Sequence, residues 1–327
     1  MITAQLHKNL KVLIIGAGQM AQDYLKVLIA LGITPDIVCR SEASSTLFFN
    51  KTGLKATYGG LENYFDSSDV SLYYDLAIVA VEMENLFSVS KFLFDQNVKQ
   101  LLIEKPGSIS IKQIEEIEKL STRNKKRVFI AYNRRFYSST TKAKEIIEKD
   151  GGVTSFIFEF TEWSHVIKDI DIHPEVKERW FLGNSSHLVD LAFYLGGFPE
   201  QMQCYYSGEN KLSWHPSASI FFGSGISKMG ALFSYSADWT SSGSWKLEIL
   251  TRENRLIFKP LEKLQIQAKG SIESSFIDID DKKDKEFKPG LFKLLESLLN
   301  KEYNSLIEIS EQRKLFEIYH KITNYKK

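Results

Sequence analysis

Up to about residue 132, short unbroken apolar runs alternate with stretches whose apolar positions recur every three to four residues. Residues 11–15 (KVLII) are a β-branched run ending in glycine, the pattern of a strand buried on both faces. Met20, Tyr24, Val27, Leu28 and Leu31 then trace one face of a helix that Gly32 stops. Further strands are predicted at 36–39, 75–81, 100–103 and 127–132, with helices over 85–96 and 111–120. Such alternation predicts a doubly wound parallel sheet with helices on both faces.

After Gly151 the period changes. Phenylalanines alternate with other residues over 156–160, which predicts a half-buried strand. Strand patterns at 202–206, 219–222, 229–236, 246–250 and 255–258 follow without intervening helices and predict an antiparallel sheet. A helix over 186–195 stands between the first of these strands and the rest. Residues 271–288 are charged and aperiodic and read as a loop, and helices over 291–299 and 309–322 follow. The class is α/β: a parallel-sheet domain over 1–132, then an α+β domain with a largely antiparallel open sheet over 133–327.

Composition narrows the function classes. A chain of 327 residues with 43% hydrophobic and 13% aromatic content can bury two cores. Lys and Arg number 42 against 41 Asp and Glu, so no general field draws in nucleic acid or an anionic membrane. An anionic ligand therefore needs a local site. Two cysteines, Cys39 and Cys204, permit one disulfide at most and no cysteine metal site, and no metal is expected. No apolar stretch approaches the ~20 residues of a bilayer span, and the chain start lacks a cleavage site. A soluble, cytoplasmic protein is the expectation.

Gly16-Ala17-Gly18-Gln19-Met20-Ala21 is a G-x-G-x-x-A turn between a predicted strand and a predicted helix. Gly16 permits the tight turn, Gly18 lets the backbone approach a pyrophosphate, and Ala21 lets the helix pack on its strand. Gln19 and Met20 open that helix, whose N–H groups favour phosphate. The second strand runs into Arg40 and Ser41, where NAD binders usually carry a carboxylate for the ribose. An arginine and a hydroxyl suit a 2′-phosphate, which favours NADP, with NAD the alternative if Arg40 is merely solvated or stacks on adenine. The strand 100–103 ends in Glu104-Lys105-Pro106, at the carboxyl edge where open α/β sheets bind ligands. Lys105 there can stabilise an alkoxide as hydride leaves, and Glu104 is assigned to the cofactor side.

GAGQMA (16–21), LLIEKPGSIS (101–110), AYNRRFYSS (131–139), SSHLVDLAFYLGG (185–197) and PGLFKLLESLL (289–299) together resemble the glucose–fructose oxidoreductase/inositol dehydrogenase family. The resemblance implies a Rossmann domain followed by a mixed domain whose sheet often forms the subunit contact, so a homodimer or homotetramer. It also implies redox chemistry on sugars, with Lys105 and His187 as the functional positions. The family's usual Asp-x-Gly-x-His around that histidine is altered: Gly183 stands where the Asp would be, and Ser185 replaces the Gly.

The remaining candidates are weighed residue by residue. His187 has the ordinary pKa range for taking a hydroxyl proton, or it merely packs its helix. One of Arg134 and Arg135 suits a substrate phosphate or carboxylate and the other an ion pair. Trp163 and His165, in a polar surround after the 156–160 strand, suit a sugar's C–H face and hydroxyls. Tyr132 either lines the pocket or closes the sheet. These features point to hydride transfer between NAD(P) and a sugar or nucleotide sugar, possible in surface-glycan synthesis. Two other readings stay open: net non-redox chemistry on tightly held NAD, or a non-catalytic NAD(P) sensor, which the altered motif around His187 favours.

Overall fold

A computed structural model describes residues 9–66 and 72–325; the chain start, where no cleavage site was expected, lies partly outside the described residues. The chain forms two compact units. One runs to Tyr132 and adds Glu286–Lys314; the other takes Asn133–Lys285 and everything from Leu315.

The first unit is built on β1 (Val12–Ile15), β2 (Asp36–Val38), β3 (Tyr74–Val79), β4 (Val98–Ile103) and β5 (Arg127–Ile130). They lie in the order β5-β4-β3-β1-β2, all parallel, with a short antiparallel strand, Ile307–Glu308, closing the β5 edge. β1 is buried along its whole length, which explains its unbroken apolar run. Helix Gln19–Ala30 turns Ala21, Tyr24, Leu25, Val27 and Leu28 inwards. Helix Ile111–Asn124 starts where the Ser110 hydroxyl accepts from the Gln113 N–H and buries Ile111, Ile114 and Ile117. The doubly wound parallel sheet expected from the alternation is present. Helix Leu291–Leu299 returns to this unit and buries four leucines.

The second unit holds an eight-stranded sheet: β6 (Ser155–Phe160), β7 (Pro199–Ser207), β8 (Ile220–Ser227), β9 (Leu232–Asp238), β10 (Trp245–Leu250), β11 (Asn254–Phe258), β12 (Gln265–Ala268) and β13 (Ser275–Phe276). The order is β13-β12-β11-β10-β6-β9-β8-β7, antiparallel except for the β6–β9 pair. The alternation of β6 sends Phe156, Phe158 and Phe160 to one face, where they meet Phe233, Tyr235 and the helix residue Phe193. Phe156 stacks on Phe233 at 5.2 Å, and Phe193 sits edge-on to Phe158 at 5.7 Å. Each such pair adds about 0.5–1.5 kcal/mol to the area it buries. Helix Ser186–Gly196 lies on this face so closely that a Cβ on Gly196 would sit 2.3 Å from the Phe156 ring. The other face leaves Ile157, Tyr205, Phe222 and Leu232 exposed.

Several elements depart from the sequence reading. The segment read as a loop over 271–288 contains β13 and the one-turn helix Lys282–Glu286, and β12 precedes it. Helix Ser138–Lys149 opens with hydroxyl residues yet buries them: Ser139 donates to Leu261 O at 2.6 Å and Thr140 to Arg134 O at 2.8 Å. Both cysteine thiols are free, so no disulfide forms. Among the described residues no helix is long and apolar enough to cross a membrane.

Candidate functional site

The turn after β1 carries two glycines that are needed for different reasons. Gly16 has φ +116°, and a Cβ there would lie 2.1 Å from the Ala80 carbonyl oxygen. The fold itself therefore requires glycine. Gly18 has φ −76°, which any residue adopts, and a Cβ there would meet nothing within 4 Å. What needs Gly18 is the open space above it, a cradle that a side chain would fill and a pyrophosphate backbone fits. Ala21 is fully buried where helix Gln19–Ala30 meets its strand.

This turn forms one wall of a cleft of about 540 Å³ at the carboxyl ends of the strands, shared by Gly16, Gly18, Gln19, Arg40, Ser41 and Lys51. Met20 and Ala21 lie off it. Ser41 caps helix Glu42–Thr52 by accepting from the Ser44 N–H at 3.2 Å, so the hydroxyl and the helix N-terminus adjoin Arg40 on the cleft wall, and Lys51, in the last turn of the same helix, also lines the cleft. Glycine cradle, helix terminus and lining cations fit a dinucleotide.

At the end of β4, the Glu104 carboxylate turns beneath the sheet and accepts from the Tyr24 hydroxyl at 2.6 Å. Burial pushes this carboxyl above the usual range; the Tyr24 donor and the Lys105 and Lys288 cations pull it back. Glu104 is thus placed as a buried support rather than in the cleft wall. Lys105 is half-buried at the strand tip, ahead of a cis bond to Pro106. Gln312 donates to Pro106 O at 2.8 Å and to the Tyr132 hydroxyl at 3.3 Å, tying together the ends of β4 and β5. The Tyr132 ring is buried.

In the second unit, His187 is the second residue of helix Ser186–Gly196 and is 6% exposed. One turn on, the fully buried Asp190 accepts from the Arg135 fork, with Nε at 3.0 and 3.2 Å and Nη2 at 2.6 Å. Arg135 is committed to this ion pair. Arg134 lies 5.0 Å over the Trp245 ring, and its Nε is buried with no hydrogen-bond partner. Burial lowers its proton affinity, against the pull of Tyr137, Glu262, Glu162 and Asp190.

Trp163 is exposed; its indole donates to Gly243 O at 3.0 Å, and the ring stacks 6.5 Å from His165. His165 lines an open polar cleft of about 720 Å³ with Ser164, Lys211 and Trp239. Trp239, by contrast, is core, donating to Phe160 O at 3.0 Å.

With this geometry in hand, comparison with known proteins is informative. Residues 10–132 match the Gfo/Idh/MocA family model, described as an oxidoreductase family with an NAD-binding Rossmann fold. The match spans the parallel-sheet part of the first unit. A sequence search of curated proteins finds no match. Solved structures are similar across both units. Levoglucosan dehydrogenase in complex with NADH and L-sorbose has TM-score 0.75 at 14% identity, covering 97% of this chain and 96% of its own. UDP-N-acetylglucosamine 3-dehydrogenase from Acidithiobacillus ferrooxidans has TM-score 0.72 at 12% identity, covering 96% and 97%. An oxidoreductase from Agrobacterium radiobacter, in complex with NAD+, L-tartaric acid and magnesium, has TM-score 0.74 at 12% identity, covering 95% and 96%. At these identities the likeness establishes the fold.

Within the first unit, the sequence reading passed over Ser44 and Lys51, which the fold brings to the cleft from within helix Glu42–Thr52. The spacing Ser41-x-x-Ser44 was an available cap signal. In the second unit it weighed Glu162 only as a neighbour of Trp163. β6 ends at Phe160, and Thr161 and Glu162 beyond it are both buried, so no alternation in the sequence marks this carboxylate.

Proposed function

We propose that this chain is an NAD(P)-dependent oxidoreductase that moves hydride between the nicotinamide and a secondary alcohol or ketone of a sugar or nucleotide sugar. The observation that carries this is the Gly18 cradle, open where the protein itself has no need of a glycine. Arg40, Ser41 and Lys51 lining the cleft support NADP over NAD, as a 2′-phosphate wants a fixed cation and a donor. The nicotinamide supplies or accepts the hydride. Lys105 stabilises the alkoxide by donating from its ammonium, and His187 takes or returns the hydroxyl proton.

The sugar class rests on the names of the similar dehydrogenases and on the aromatic and polar residues of the second unit. With Arg135 held by Asp190, Arg134 is the guanidinium proposed for a substrate phosphate. Trp163 and His165 are proposed for the sugar. The exposed apolar face carrying Tyr205, Phe222 and Leu232 is the proposed contact of a homodimer or homotetramer.

The test is titration of the purified chain with NADPH and NADH, with Arg40→Ala alongside. The wild type should bind NADPH at least tenfold more tightly, and Arg40→Ala should lose about ten- to a hundredfold of that affinity while keeping NADH, the scale of one charge-assisted contact. Equal or tighter NADH binding would reject the NADP assignment. If neither nucleotide bound, the oxidoreductase reading would fall.

A further inference from the structure

Glu162 is a buried carboxylate that the proposed chemistry leaves unused. It lies two residues beyond the end of β6 and is only 6% exposed. Asn184 Nδ2 donates to both its oxygens, at 3.1 and 3.0 Å, and the Ser185 hydroxyl donates to Oε1 at 2.6 Å. Burial raises the carboxyl's proton affinity, while these donors and the Trp180 and Trp245 indoles favour the anion; Trp180 Nε1 closes no direct hydrogen bond.

The residues that grip Glu162 are the last two of the π-helical turn Phe181–Ser185, which runs directly into helix Ser186–Gly196. Asn184 stands three residues before His187, across the junction of the π-helical turn with the α-helix. Glu162 therefore holds the turn that leads directly into His187. Asn184 and Ser185 use both carboxylate oxygens, whereas an amide offers a single acceptor oxygen, so these donors fit a carboxylate.

The charged groups on the elements packed against this helix are few. Arg134 and Arg135 come from the turn Asn133–Phe136, and Asp190 lies on the helix itself, paired with Arg135. Tyr319, on helix Ile309–Thr323, donates to Ser186 O. Glu159, Lys246 and Glu248 lie in register on the opposite face of the sheet.

We propose that Glu162 is the positioning residue for His187, holding the turn that carries the imidazole and favouring its protonated form by negative charge. The inference rests on the reading of His187 as the acid/base. The proton leaving a substrate hydroxyl would end on His187 and not on Glu162.

The test is an imidazole titration by NMR on the full chain carrying isotope-labelled histidine, with the His187 signal assigned by its loss in His187→Gln. Glu162→Gln should lower the His187 midpoint by about one pH unit, since it removes a nearby anion, and Glu162→Asp should restore most of it. Ser185→Ala leaves Glu162 in place but removes its shortest donor and loosens its hold on the turn, so the midpoint should move the same way by less. This variant serves if Glu162→Gln does not fold. A His187 midpoint unmoved in the folded variants would overturn the proposal. The readout needs neither substrate nor nucleotide, so its failure is distinguishable from failure of the NADPH titration.

Discussion

Replacing Gly16 and Gly18 separately by Ala distinguishes what the backbone needs from what a nucleotide needs. At Gly16 the alanine must adopt φ +116°, a conformation costing about 1–3 kcal/mol, and its Cβ starts 2.1 Å from the Ala80 oxygen where ordinary contact begins near 3.4 Å. Relieving that overlap moves the end of β3 by roughly an ångström, adding about 1–3 kcal/mol of overpacking strain. The total, about 2–6 kcal/mol, corresponds to a Tm loss of roughly 4–20 °C for a unit of this size. At Gly18 the alanine gains about 0.4–1 kcal/mol by restricting the unfolded chain but loses about 0.5–1 kcal/mol as the weaker N-cap. The two nearly cancel, so Tm should stay within about 2 °C. Its methyl nevertheless enters the cradle, and NADPH affinity should fall at least tenfold, a loss of about 1.4 kcal/mol. Thermal unfolding without nucleotide, followed by nucleotide titration, reads both. Wild-type NADPH affinity in Gly18→Ala, or unfolding as early as in Gly16→Ala, would refute the reasoning.

Asp190→Asn leaves the buried Arg135 guanidinium without its counter-charge, so denaturant unfolding should show a loss of about 3–5 kcal/mol. His215 is pushed down to about 4 by burial; its Nδ1–H donates to Ala218 O and its Nε2 accepts from the Tyr325 hydroxyl, both at 2.7 Å. Because the folded pKa lies below the unfolded 6.5, its contribution is complete above pH 6.5 and is lost as pH falls towards 4. The loss should reach about 3 kcal/mol, and His215→Asn should flatten stability against pH across that window. Leu232→Arg, on the exposed sheet face, should lower the assembly mass measured by light scattering; an unchanged oligomer would exclude that face as the contact.

What the sequence made legible follows from how sharply each physical requirement constrains residue type. A strand buried on both faces tolerates only apolar residues, so β1, β3 and β4 stood out, and the positive φ of Gly16 left its mark as an obligatory glycine. Edge strands and capped polar helices carry no such mark. β12 is QIQA with no residue fully buried, and Ser138–Thr140 are buried by hydrogen bonds that no periodicity reports. The candidate site was legible in the same measure. The glycine turn and Lys105 declare themselves locally, whereas the Arg135–Asp190 pair and the grip on Glu162 join residues 55 and 22 or 23 positions apart.

The edge of the first sheet is closed by Ile307–Glu308 pairing with Ile130 and Phe129. That closing strand is encoded after nearly all of the second unit. As the chain emerges from the ribosome, β5 therefore waits with an open edge while the intervening unit is made, and helix Leu291–Leu299 is likewise missing from its place. The first unit starts before the second along the chain but cannot be completed before it. Cells making this protein slowly would hold a long-lived, adhesive nascent sheet, and its yield should depend on translation speed and on chaperones that shield strand edges.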